Sequence, residues 1–168
     1  MNHLLFAIEN ALQASNFYAA LAIALALPDI CSWVESGATS KSRYIAWFQK
    51  YLQPRYTQPT SGGRPQHIFL NGSDCYALRC AYLHEGRDDI VEQRARQVLD
   101  AFQFVVPPNG WTVHRNQLNN VLQLQVDVFC HDVVEAVTRF LSDIAGNAEA
   151  TERINKMLLI RNVNGRPL

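Results

Sequence analysis

The segment Ser73-Asp74-Cys75-Tyr76-Ala77-Leu78-Arg79-Cys80-Ala81-Tyr82-Leu83-His84-Glu85-Gly86 concentrates the chemistry of this 168-residue chain. It places an arginine and a histidine five positions apart near the end of an expected helix. An imidazole can take a proton from a ribose 2′-hydroxyl near neutral pH, or return one to a leaving oxygen. A guanidinium can hold a phosphate through two parallel hydrogen bonds and oppose charge that grows in a transition state. On a regular helix, residues five apart lie about 140° from one another. Arg79 and His84 therefore converge only if His84 sits past the last regular turn, which the following Glu85-Gly86 permits.

The charge distribution points to the same third of the chain. Fifteen basic and fifteen acidic residues give a formal net charge of zero, which argues against a polybasic protein or an acidic tail. Residues 1–40 carry −3, residues 41–96 carry +4 and residues 97–168 carry −1. No acid occurs between Glu35 and Asp74, where Lys41, Arg43, Lys50, Arg55 and Arg64 alternate with Tyr44, Trp47, Phe48, Tyr51 and Tyr56. Such cations can neutralise phosphates, and aromatic faces can stack on unpaired bases. Helical spacing offers the plainer reading, in which the aromatics are core and the cations a solvated face.

The expected elements are mostly helices. Leu5, Ile8 and Leu12, then Leu21, Ile23 and Leu25, follow helical stripes up to a break at Pro28. A second helix runs from Asp29 to Glu35 and stops at Ser36-Gly37. Ser40 caps a third, Lys41 to Leu52. Pro54, Pro59, Gly62-Gly63 and Pro65 make 53–66 a long loop. Ser73 or Asp74 caps a fourth helix that reaches His84, and Asp88 opens another to Leu99. Alternation in Phe102 to Val106, Trp111 to Val113 and Val121 to Val126 predicts a small antiparallel β-meander. Helices from Asp127 to Leu141 and from Ala148 to Ile160 complete the chain. The expected fold is mainly α (α+β): one domain over residues 1–168, a helical bundle with an inserted antiparallel meander at about 102–126.

The Arg79-x4-His84 pair at the end of a core helix, followed by a small turn, resembles the Arg-x(4–6)-His motif of the HEPN superfamily. The helical pattern from about residue 3 to residue 160 resembles bacterial members of it. The resemblance implies a metal-independent endoribonuclease or RNA-binding protein, with toxin or phage-defence settings and an antitoxin or other protein partner. It also implies a homodimer whose two Arg–His pairs line one cleft, with Arg79 and His84 as the catalytic residues. Cys80 stands where the family commonly has a polar residue after the arginine. The rival reading is a non-catalytic helical dimeric interaction or scaffold domain.

Other constellations are thinner. Cys80 and His84 share a helix face and could bind a metal with Cys130, His131 and Asp132, or act as nucleophile and base, but no paired short-range ligand motif or orienting group accompanies them. The expectation is no metal and no cofactor. The four cysteines form no CxxC pair and read as free thiols. The apolar run Phe17 to Leu27 is shorter than the ~20 residues of a membrane span. No basic residue precedes Lys41, so a signal peptide is not expected either. These observations predict a cytoplasmic protein without a membrane partner.

Overall fold

The computed structural model describes residues 1–59 and 66–164. The apolar N-terminal region divides into α1 (Asn2–Gln13) and α2 (Phe17–Ser36). The apolar stripes carry no stop signal at the break between the two helices. The break is set by Asn16, whose side chain accepts a hydrogen bond from the Ala19 backbone N–H. The expected interruption at Pro28 does not occur, because α2 continues through it. Leu21, Ala24, Leu25 and Leu27 before the proline and Cys31 and Val34 after it are all buried, and that packing offsets the missing proline N–H. Ser32 also donates its hydroxyl to the Pro28 carbonyl at 2.7 Å. By length and mean hydropathy α2 could cross a bilayer, but half of its apolar window is buried within the fold, as in a core helix.

Gly37 ends α2 in the left-handed conformation, φ 72°. Ser40 then caps α3 (Lys41–Tyr51), accepting from the Arg43 N–H. A short 3-10 turn (Gln53–Tyr56) leads into β1 (Thr57–Gln58), which pairs with β2 (His67–Ile68). The next helix, α4 (Gly72–Cys80), is capped by Asn71 rather than by Ser73 or Asp74. Gly72 lets it approach α3 closely: a Cβ there would lie 2.9 Å from the Ile45 carbonyl oxygen. Since a backbone atom must move, Gly72→Ala is expected to destabilise the fold by about 1–3 kcal/mol, read as a lower denaturant midpoint at unchanged slope.

The stretch expected as a helix over 88–99 is instead a series of turns with one bridge, Asp89 to Ala101. Asp74 explains this. Its buried carboxylate accepts from the backbone N–H groups of Gln97 (2.6 Å), Val98 (3.2 Å) and Leu99 (3.3 Å), donors that a helix would have used internally.

The β region lies where expected, but it is not an antiparallel meander. β3 (Ala101–Val105) pairs in parallel with β5 (Val121–Gln125), and β4 (Asn116–Leu118) flanks β5 on its other side, antiparallel. Trp111-Thr112-Val113 form no strand. Residues 106–115 cross from the end of β3 to the far side of β5, where the Val113 N–H bonds to the Gln125 side chain, and β4 then runs back along the sheet. Phe102, Leu122 and Leu124 are buried beneath α5 (Val126–Asp143), while α6 (Ala148–Asn155) closes the bundle by Arg153 donating to the Val34 and Glu35 carbonyls. The result is a mainly α, α+β fold.

Candidate functional site

The Arg–His pair depends on how α4 ends. After Cys80 the chain widens into a π turn, Ala81–Glu85, and the Arg87 N–H bonds back to the Ala81 carbonyl at 3.1 Å. Gly86 terminates it in the left-handed conformation, and the Tyr82 hydroxyl donates to the Tyr18 carbonyl at 3.3 Å, fixing the turn to the start of α2. Wider turns bring residues five apart onto one face. Arg79 Nη1 and His84 Nε2 accordingly meet at 2.9 Å. A guanidinium has no acceptor, so the imidazole accepts here, which selects the neutral ring with its proton on Nδ1.

Asp29 of α2 stands behind the arginine, with Oδ2 2.9 Å from Arg79 Nε. It is an ion pair by distance, without the alignment of a hydrogen bond. Burial pushes the Asp29 carboxyl up, and Arg79 pulls it back only in part. For Arg79, burial works against the charge, but Asp29 and the adjacent Cys80 and Tyr76 outweigh it and raise its proton affinity. Burial and the Cys80 thiol likewise push the Tyr76 phenol up, against the pull of Arg79. The arrangement is a carboxylate-anchored guanidinium with a neutral imidazole on its outer side. The Arg79 side chain is 22% exposed and His84 lies at the surface.

The basic stretch is less uniform than its sequence implies. Lys41 and Arg43 are exposed and have no ion-pair partner among the described residues. Lys50 pairs with Asp143 at 3.7 Å and stands 4.5 Å over the Tyr51 ring. Arg55 is not a free cation: it binds Asp132 at 2.8 Å and also pairs with Glu135. Arg64 lies outside the described residues. Tyr44, Trp47, Phe48, Tyr51 and Tyr56 are all buried, so helical packing, not base stacking, accounts for them.

Sequence reasoning missed a polar hub around Asp132, which is buried inside α5. Besides Arg55, it accepts from the Tyr56 hydroxyl at 3.0 Å and faces His114 Nε2 at 3.7 Å. The other imidazole nitrogen, Nδ1, accepts from the Gln125 N–H. The partners lie far apart in sequence, so no local pattern could reveal them. Burial pulls the His114 pKa below its usual range, against the opposing effect of Asp132. A histidine lowered in this way favours the folded state fully above about pH 6.5, and that contribution is lost as pH falls towards the folded value. Stability should therefore decline on acidification below about pH 6.5, by at most about 1.4 kcal/mol per pH unit from this group. Denaturant midpoints across pH 5–7 should show a flatter profile for His114→Gln, and an unchanged slope would remove His114 as the cause.

Cys130 is buried, and His131 pairs with Glu9 at 3.3 Å. Among the described residues no three His, Cys, Asp or Glu side chains gather as a metal site. The chain matches no family model, no curated protein and no solved structure.

Proposed function

We propose that this chain is a metal-independent endoribonuclease of HEPN type, cytoplasmic and homodimeric, with Arg79 and His84 as its catalytic residues. The observation that carries the reading is the 2.9 Å contact between Arg79 Nη1 and His84 Nε2 at a surface-open site. The neutral imidazole has one lone pair, on Nε2, which accepts from Arg79 in the free chain; once a phosphate draws the guanidinium off it, that lone pair can take a 2′-hydroxyl proton. The 2′-oxygen then bonds to phosphorus and the bond to the 5′-oxygen breaks, leaving a 2′,3′-cyclic phosphate. Arg79 opposes the negative charge on the non-bridging oxygens as they crowd the phosphorus. Asp29 holds the guanidinium in place. The leaving 5′-oxygen needs a proton, which His84 of a second subunit supplies from its protonated form, the imidazolium turned off its own Arg79, when a two-fold axis repeats the site; that ring becomes neutral as the first becomes protonated.

The test uses single-stranded RNA in the presence of EDTA, with the product ends identified and the mass of the protein measured by light scattering. Cyclic-phosphate ends and a mass of about twice 19.0 kDa are expected. Ends bearing a 5′-phosphate, or a strictly monomeric protein, would overturn this mechanism. One observation favours the interaction-domain alternative: an apolar groove of about 590 Å³ between α1, α2 and the segment after α6, with Phe6, Leu158 and Ile160 largely exposed. An inert but dimeric protein would support that alternative.

A further inference from the structure

A second cleft, of about 410 Å³, adjoins the Arg–His helix. Tyr76, one turn before Arg79, and Glu85, next to His84, form one side, and Lys41, Glu92, Gln93 and Arg94 complete it. Its size suits one nucleotide-sized ligand. Its charge is mixed, two cations and two carboxylates, so a bare phosphate would meet repulsion as well as attraction. The cations are the available pair: neither Lys41 nor Arg94 has an ion-pair partner among the described residues. The carboxylates are held in place. Glu85 Oε1 accepts from Gln93 Nε2 at 3.1 Å, and Arg87 bridges Glu85 and Glu92 at 3.4 Å to each. An ionised carboxylate only accepts hydrogen bonds. The ligand must therefore bring N–H donors to Glu85, a flat face to the Tyr76 ring and an anionic group to Lys41 and Arg94.

Among the nucleobases, guanine alone sets two N–H donors side by side, at N1 and the exocyclic N2. Adenine and cytosine place a ring lone pair beside their amino group, and uracil sets its single N–H between two carbonyls. We propose that this cleft is a guanine-nucleotide subsite: Glu85 accepts from guanine N1–H and N2–H, Tyr76 stacks on the base, and Lys41 and Arg94 hold the phosphate. It rests on the ribonuclease reading, and makes guanosine the nucleotide that positions an RNA strand beside Arg79 and His84.

Binding of the four nucleoside 5′-monophosphates to His84→Ala protein, measured by titration calorimetry, tests the subsite without cleavage. GMP should bind at least about tenfold more tightly than AMP, CMP or UMP, the discrimination expected of one good bidentate pair. Glu85→Gln should abolish that preference, and Arg94→Ala should weaken GMP binding while keeping the preference. Both side chains are exposed, so neither change threatens the core. Equal affinity for all four nucleotides, or GMP binding unaffected by Glu85→Gln, overturns the subsite. The two readings fail separately: base-indifferent RNA cleavage by the wild-type chain with no GMP preference removes only the subsite, whereas GMP preference without cleavage removes only the nuclease.

Discussion

His84→Ala should lower RNA cleavage by about 10²–10⁴-fold, the range for loss of a positioned general base, with the thermal unfolding curve unchanged. Its ring is at the surface, and its one side-chain hydrogen bond among the described residues is to Arg79. Arg79→Ala should lose comparable activity through the phosphate. Arg79→Lys should not rescue it, because an ammonium cannot reproduce the planar fork that reaches Asp29 through Nε and His84 through Nη1. Mixing the two alanine variants should restore part of the activity if subunits exchange, since one dimer interface then holds an intact arginine and an intact histidine. Equal cleavage by wild type and both variants would identify a contaminating nuclease and end the argument.

Asp74→Ala should be strongly damaging to the fold, at about 1–3 kcal/mol, a sizeable part of the 5–15 kcal/mol that holds a typical domain together. The carboxylate is fully buried and accepts from three successive backbone N–H groups, at Gln97, Val98 and Leu99, and from the Asn71 amide at 2.8 Å. Removing it leaves the Leu99 N–H buried without a partner, at about 1–3 kcal/mol, whereas Gln97 and Val98 are exposed and their N–H groups can turn to water. Asp74→Asn should also be costly, because its amino group faces donors rather than acceptors. A drop in unfolding free energy below about 1 kcal/mol for Asp74→Ala would show that water replaces the carboxylate readily.

Local signals served the helices well where caps and stops were near in sequence. Ser40, Gly37 and Gly86 stand where the expected boundaries put them, and the apolar spacing of α5 is realised from Val126 to Asp143. Local signals failed where distant groups decided. Pro28 reads as a break, yet burial on both sides of it carries α2 through. Residues 88–99 read as a helix, yet Asp74, more than 20 positions earlier, takes their N–H groups. Strand alternation marked β3 and β5 but not their direction, because period-two patterning is the same for parallel and antiparallel pairs. At the site, residue types were legible and geometry was not: Arg79 and His84 were evident, whereas the π turn that joins them and the Asp29 behind them were not. Arg55 looked like a phosphate ligand because its carboxylate partners lie 77 and 80 positions away.

The π turn sets backbone economy and side-chain placement against each other. With i→i+5 bonds, residues 81–85 hold one residue more than an α-helical path over the same rise would need. Deleting a single residue such as Leu83 would let the end of α4 close as ordinary α-helix, with better hydrogen bonds. The same deletion would leave the arginine and the histidine four positions apart, about 40° from one another on a regular helix, so the pair would still share a face. The extra residue is thus tolerated only because the turn is wide: closing residues 81–85 as regular α-helix with the residue kept would set the two side chains about 140° apart, whereas removing the residue and the wide turn together would preserve the pair.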